Sequence, residues 1–166
     1  SASGEPAPVV SSSGTLFPIE VHWWRSPTVR KGQRRDDERL ENKVATTVVR
    51  ALRETEGDIL VFLPGIGEIR RAITATESVI EGAVDLFPLA GALSQEEQDA
   101  ALAPSRPGRR RIVFSTDIAE SSLTVDGVRV VIDSGIARAP RFDPRTGMTR
   151  LTTVNISQAS AHQRAG

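Results

Sequence analysis

The stretch "GDILVFLPG" (residues 57–65) is a short apolar run with turn-forming residues at both ends. A strand in which apolar and polar residues do not alternate is buried on both faces, which is typical of a parallel sheet covered by helices. The runs "AVDLFPLAG" (83–91), "RRRIVFST" (109–116) and "VRVVIDSG" (128–135) have the same character. We therefore predict four buried strands.

Segments with helical periodicity alternate with these strands. Apolar residues recur at helical spacing over residues 36–54 and again over 67–80. A third helix is predicted over 93–104, where Ser94 and Glu97 have the spacing of a capping box. This alternation predicts an α/β fold, an open and mainly parallel sheet with helices on both faces. Ligands of such sheets bind at the carboxyl ends of the strands.

The remaining segments are predicted from composition and turn signals. Residues 1–14 are rich in Ser, Gly and Pro and are expected to form a flexible lead-in, so that 15–166 form one domain. The run "FPIEVHWW" (17–24) is predicted to be extended. The turn "DPRTG" (143–147) predicts a β-hairpin near the C-terminal end, and a last helix is expected to begin near Ser157.

The composition limits the possible function. The 166 residues are 39% apolar and 25% charged, which is ordinary for one globular domain. The net charge of zero argues against nucleic-acid binding by bulk charge alone. Without cysteine the chain has no disulfide and no thiolate metal site. No apolar run is long enough to span a bilayer, so we expect no membrane partner and a cytoplasmic location.

The segment "PGIGEIR" (64–70) leaves three interpretations open. Gly65 and Gly67 lie between a strand and a helix, and Asp85 follows about 20 residues later, which is a partial dinucleotide-binding fingerprint. Arg70 stands in place of the third glycine of that fingerprint. The segment is therefore part of an NAD- or FAD-binding site, a turn that needs glycine, or a loop whose N–H groups face a phosphate.

The segment "STDIAESSLTVD" (115–126) is rich in hydroxyls and acids directly after a buried strand. Either it caps a helix, or Thr116, Ser122, Thr124 and Asp126 contact phosphate oxygens or a ribose. The chain has no GxxxxGK[ST] phosphate-binding loop. Any chemistry on a nucleoside triphosphate would therefore be shared with another domain.

Taken in order, these segments resemble the second RecA-like domain of DEAH-box (superfamily 2) helicases, in particular the bacterial HrpB-type subgroup. "GDILVFLPGIGEI" resembles the motif IV region, "STDIAESSLTVDGVRVVIDSG" resembles motif V, and "ISQASAHQRAG" resembles the beginning of motif VI. "PLAGALSQEEQ" and "RFDPRTGMTRL" resemble segments that lie between these motifs. The resemblance runs from about Pro8 to the end of the chain, and five matches in the right order make it specific. It implies a RecA-like fold and a part in an ATP-dependent helicase.

The resemblance also implies roles for individual residues. The residues implied to contact the nucleic-acid backbone are Pro64, Gly65 and Thr116. Those implied at the nucleotide are Ser122 near the γ-phosphate, Thr124 and Asp126 at the ribose, Gln163 at the phosphates or the attacking water, and Arg164. Of these, Ser122 and Gln163 are the implied catalytic residues.

Three departures from the family pattern affect these expectations. Motif VI of the family continues with two arginines that neutralise charge on the γ-phosphate, and this chain ends before them at Gly166. We therefore expect a longer protein, and an isolated chain that is inactive as an ATPase. Leu102 stands where many eukaryotic members have a Phe that stacks on the adenine, and leucine has no π-face. Asp117 stands where Asn is common.

The implied ligands and partners follow from the family. They are ATP with Mg²⁺, bound mainly by the first RecA-like domain, single-stranded RNA or DNA, and the other domains of the same polypeptide. Two alternatives stay open. One is a dinucleotide-binding oxidoreductase domain that uses Gly65, Gly67 and Asp85. The other is a nucleic-acid-binding module without catalysis.

Overall fold

The computed structural model describes residues 39–116, 125–143 and 148–155, the last two strands as backbone only. Its helices are α1 Leu40–Glu54, α2 Ile66–Glu77 and α3 Gln95–Leu102. Its strands are β1 Asp58–Phe62, β2 Val84–Leu89, β3 Arg110–Ser115, β4 Val128–Asp133, β5 Ile136–Asp143 and β6 Met148–Asn155. The predicted lead-in, the extended run at 17–24 and the helix near Ser157 lie outside the described residues.

The first four strands form one parallel sheet in the order β2-β3-β1-β4. Strand β3 therefore lies between β1 and β2, with Ile112 opposite both Ile59 of β1 and Leu86 of β2. The predicted open parallel sheet is confirmed. Each strand needs a crossover before its neighbour in the sheet, because parallel strands cannot be joined by tight hairpins.

Helices cover both faces of this sheet. Successive side chains of a strand point to opposite faces. Ile59 and Val61 of β1 pack in one cluster with Val48 of α1 and Ile69 of α2. Leu60 and Phe62 belong to a second cluster, which also contains Ala101 of α3 and Val125. The two clusters explain why β1 is buried along its whole length, as its unbroken apolar run predicted.

The start of α3 has the capping box that the sequence predicted. The Glu97 N–H donates to Ser94 Oγ at 3.3 Å, and the Ser94 N–H donates to Glu97 Oε2 at 2.9 Å. This backbone hydrogen bond from Ser94 holds the pKa of the Glu97 carboxyl below its usual value. The box matters for α3 because this eight-residue helix has only one buried residue, Ala101.

The predicted hairpin is present after β4. Strands β5 and β6 pair antiparallel from Ile136 opposite Asn155 to Asp143 opposite Met148. The turn that joins them, residues 144–147, lies outside the described residues. Within the described part of the chain, no helix has the length and the apolar character needed to cross a membrane.

Arg110, at the start of β3, stabilises the end of α1. Its Nη1 donates to the carbonyls of Leu52 at 2.9 Å and Thr55 at 2.8 Å. Its Nε donates to the carbonyl of Gly57 at 2.7 Å. The last carbonyls of a helix have no partner within the helix, so a cation placed here satisfies them and also interacts favourably with the helix dipole.

We expect Arg110→Met to lower the free energy of unfolding by about 1–3 kcal/mol, because the hydrogen bonds from a charged donor are lost while the side-chain volume is kept. Urea denaturation followed by circular dichroism measures the change. The control is Arg53→Met, at an exposed position in the last turn of α1. An equal loss of unfolding free energy in the two variants would contradict the assigned role of Arg110.

Candidate nucleotide and nucleic-acid sites

The carboxyl edge of the sheet brings together the residues predicted to contact nucleic acid. The Leu63 N–H donates to the Ser115 carbonyl at 2.8 Å, and the Thr116 N–H donates to the Leu89 carbonyl at 3.2 Å. Pro64 and Gly65 follow Leu63 directly. The turn after β1 and the residue after β3 therefore lie side by side, as expected for the ends of neighbouring parallel strands.

The glycines of this turn are not required by its backbone. Gly65 has φ −174°, an extended conformation that any residue adopts. A Cβ on Gly67 would meet Arg71 Nη1 at 3.6 Å, which is ordinary contact. The interpretation that the turn simply needs glycine is therefore not supported at these two positions. Gly65 is also the N-cap residue of α2 and has no side chain to cap it, which leaves the start of this helix open to an anion.

Among the described residues, the Thr116 hydroxyl is the buried side-chain group that lacks a hydrogen-bond partner. A buried hydroxyl without a partner lowers stability, so a phosphate oxygen that reached it would gain a ready donor. Because the hydroxyl is covered, such a contact requires a neighbouring group to move.

Asp126 lies at the opposite edge of the sheet. Asp126 and Gly127 form the turn that precedes β4, and the Gly127 carbonyl accepts from the Asp58 N–H at the start of β1, at 3.0 Å. The side chain of Asp126 belongs to an exposed residue. A strand of this length spans roughly 17–20 Å, so Asp126 and Thr116 cannot contact the same small group. The expectation that ligands bind at the carboxyl ends of the strands therefore does not hold for Asp126. The sequence did contain a signal for its position at the amino edge, because Asp126 stands directly before a predicted strand.

The other predicted site residues are not among those that the structure describes. These residues are Asp117, Ser122, Thr124, Gln163 and Arg164. Their proximity to Asp126 or to Thr116 stays a prediction.

Sequence reasoning missed a buried ion pair beside Asp126. Arg111 Nη2 lies 3.0 Å from Asp58 Oδ2, and the two side chains are only 1% and 6% exposed. The Arg111 N–H also donates to Asp58 Oδ1 at 2.9 Å. The guanidinium donates further to the carbonyls of Ala101 at 3.2 Å, of Ala103 and of Asp126. An arginine inside an apolar strand was a visible signal, but its partner lies 53 residues away in the sequence.

The position of Asp85 rules out the dinucleotide interpretation. Asp85 lies at the start of β2, and β3 separates β2 from β1. A dinucleotide site needs its acidic residue near the carboxyl ends of the strands, beside the glycine turn. The Asp85 carboxylate is also already paired with Arg109, whose Nη2 donates to Oδ1 at 2.7 Å and whose Nε donates to Oδ2 at 2.9 Å. The alternative of an NAD- or FAD-binding oxidoreductase domain is therefore wrong.

Comparisons with known proteins show the family of this chain. Residues 42–166 match the helicase conserved C-terminal domain family. The ATP-dependent RNA helicase HrpB of Escherichia coli is 45% identical over 160 residues, which are 96% of this chain and 19% of the relative. The human probable ATP-dependent RNA helicase DHX34 is 38% identical over 165 residues, covering 96% of this chain and 14% of the relative.

A solved structure extends the match to the fold. The crystal structure of E. coli DEAH/RHA helicase HrpB superposes with a TM-score of 0.73 and 48% identity, over 77% of this chain and 16% of that chain. The chain belongs to the helicase conserved C-terminal domain family, and within it to the RecA-like C-terminal domains of DEAH-box helicases. It spans about a fifth or less of the length of these curated relatives.

The turn at Gly127 offers a test of how tightly the amino edge is packed. Gly127 has φ +85°, and an added Cβ would lie 3.0 Å from Asp58 Oδ2. Gly108 has a similar φ of +74°, but among the described residues nothing lies within 4 Å of its added Cβ. We expect Gly127→Ala to destabilise the fold by about 1 kcal/mol more than Gly108→Ala, because only the first presses on a buried carboxylate. Chemical denaturation of both variants measures the difference, and equal losses would show that backbone strain alone matters.

The Arg109–Asp85 pair predicts a pH dependence. The side-chain hydrogen bond from Arg109 lowers the pKa of Asp85 from its usual value of 3.8. A lowered folded-state pKa stabilises the fold above the unfolded value, and this contribution is lost as the pH falls through the folded value. The difference in unfolding free energy between the native chain and Asp85→Asn should therefore be constant near neutral pH and shrink below about 3.8. Urea titrations at pH values from neutral to below 3.8 measure this difference in unfolding free energy, and Glu81→Gln, at an exposed position, is the control. A difference that grows on acidification would contradict the stabilising role of the Arg109–Asp85 pair.

Proposed function

We propose that this chain is the second motor domain of an ATP-dependent helicase that acts on single-stranded RNA or DNA. It contributes one wall of an ATP site between two RecA-like domains and part of the track for the strand. The observation that supports this proposal is the separation of two groups of residues on one rigid sheet. Pro64, Gly65 and Thr116 lie at the carboxyl edge, whereas Asp126 lies at the amino edge. The relatives are named ATP-dependent RNA helicases, which favours RNA.

At the amino edge, the proposed ligand is the nucleoside part of ATP. The exposed carboxylate of Asp126 is an acceptor suited to ribose hydroxyls, and we propose that Thr124 assists it. Leu102 is half-buried at the end of α3, and we propose that it covers the base without stacking on it. Ser122, Gln163 and Arg164 keep their proposed roles near the phosphates.

ATP, when bound, supplies the phosphoryl-transfer reaction whose free energy drives the motor. Within the described part of the chain, no three His, Asp or Glu side chains are grouped so that they could hold a metal ion. We propose that the first RecA-like domain of the same polypeptide holds Mg²⁺ and the triphosphate. This chain then binds and orients the nucleoside, and the isolated chain hydrolyses ATP no faster than buffer.

At the carboxyl edge, the proposed ligand is the sugar-phosphate backbone of one strand. Contacts with phosphates do not distinguish one base from another, so binding of this kind is independent of the nucleic-acid sequence. The proposed donors are the N–H groups at the start of α2 and the Thr116 hydroxyl, which becomes available when the group that covers it moves. Local donors of this kind explain how a chain with zero net charge binds a polyanion. The cytoplasmic location expected from the sequence stays a prediction.

Because the two edges are far apart, variants at each edge should affect one ligand only. This is tested in the full polypeptide that contains this domain. We expect Thr116→Val to weaken binding of single-stranded RNA by about fivefold to tenfold, the size of one lost hydrogen bond, with little change in the KM for ATP. We expect Asp126→Ala to raise the KM for ATP by a similar factor and to leave RNA affinity without nucleotide unchanged. Fluorescence anisotropy with a labelled oligonucleotide and steady-state ATPase assays measure the two quantities.

Matched controls are available on the helices. Thr74→Val removes a hydroxyl that bonds only within α2, to the Arg70 carbonyl, and Asp99→Ala removes a carboxylate from exposed α3. Neither should change RNA binding or the KM. If both site variants lost the same activity, or neither lost any, the assignment of two ligands to two edges would be wrong. An RNA-binding module without catalysis would respond to Thr116→Val alone.

A further inference from the structure

Arg111 is the most deeply buried charged side chain that the structure describes, and it faces the amino edge. Its guanidinium has five N–H donors in a fixed planar fork. Nη1 donates to the carbonyls of Ala101 and Ala103, which flank Leu102. Nη2 donates to the carbonyl of Asp126. One side chain therefore holds the backbone on both sides of Leu102 and at Asp126.

We propose that Arg111 is a nucleotide-positioning residue, which sets the spacing between the Asp126 carboxylate and Leu102 so that both meet one nucleoside. This inference rests on the proposed function of Asp126 as a ribose contact. Arg111 itself contacts no ligand, because its side chain is only 1% exposed. It acts through the main chain of Asp126 and through the two alanines that flank Leu102.

Asp58 makes this arrangement rigid. The Arg111 guanidinium bonds Asp58 Oδ2 through Nε at 3.2 Å and through Nη2 at 3.0 Å. The Ser105 hydroxyl donates to the same oxygen. Asp58 opens β1, and Arg111 is the second residue of β3, two strands paired along the middle of the sheet. The plane of the fork is therefore fixed by the sheet, and the carbonyls that it holds cannot shift independently.

A lysine at position 111 could not make the same set of hydrogen bonds. A single ammonium keeps the charge that Asp58 needs, but one nitrogen cannot reach three carbonyls spread over the fork of an arginine. Well-packed hydrophobic residues of similar volume can often replace a buried ion pair without loss of stability. A charged pair is better suited than an apolar one to this position if the fork positions the nucleotide-binding backbone, because only the guanidinium can hold the three carbonyls.

The test is discrimination of the ribose hydroxyls, measured in the full polypeptide. Isothermal titration calorimetry gives the Kd for ADP and for 2′,3′-dideoxy-ADP, and the ratio of the two reports the hydroxyl contacts alone. We expect the native protein to prefer ADP by about tenfold, as for one to two hydrogen bonds. Arg111→Lys should lower this ratio to about twofold or less while the RNA affinity without nucleotide stays unchanged, because the distortion is confined to the amino edge.

Control variants separate positioning from stability. Arg110→Lys alters the neighbouring arginine, which bonds the end of α1, and should keep the native ratio. If Arg111→Lys does not fold, the double variant Asp58→Asn with Arg111→Gln, which buries no charge, takes its place and should also lose discrimination. Failure of both to fold would count against the proposal, because it would leave Arg111 a structural role alone.

Two different failures can be told apart. If Asp126→Ala abolishes the preference for ADP while folded Arg111→Lys keeps it, the inference about Arg111 is overturned and the proposed function stands. If the native protein shows no preference, or Asp126→Ala does not change it, the ribose contact itself is wrong and the inference falls with it. Loss of discrimination in both variants supports the inference.

Discussion

The buried ion pair between Arg111 and Asp58 is the interaction on which the amino edge of the sheet depends. Removing two charges from water is costly, and the cost is offset only when the remaining donors and acceptors are also satisfied. Here the acceptors are main-chain carbonyls from the end of α3 and from the turn before β4. The end of α3 and the turn before β4 are thereby fastened to the two central strands.

Strand β3 links the two proposed ligand sites. Its first residues hold the amino edge through Arg110 and Arg111, and Thr116 follows its last residue at the carboxyl edge. The residues between are almost completely buried and hydrogen-bonded to strands on both sides. A rigid strand of this kind keeps the distance between the two edges constant, as the proposal of two ligand sites on one domain requires.

Local signals were sufficient for most of the fold. The apolar strands, the helical periodicity and the Ser94–Glu97 box act between residues close in sequence, and the structure has each of them. The strand order and the partners of Arg109, Arg110 and Arg111 could not be predicted, because these contacts join residues up to 58 apart in sequence. For the candidate sites, the sequence pattern predicted Thr116 and Asp126, and only the topology shows that the two residues lie at opposite edges of the sheet.

The place of β3 in the sheet also has a consequence for biosynthesis. A ribosome makes β1 and β2 before β3, although β3 separates them in the finished sheet. Until β3 emerges, the apolar strand β1 has no correct neighbour among the residues made after it, and a direct pairing with β2 would produce a misordered sheet. Exposed apolar strands of this kind are prone to associate with other chains. Synthesis of the segment between β2 and β3 therefore prolongs the time during which β1 lacks the strand that separates it from β2.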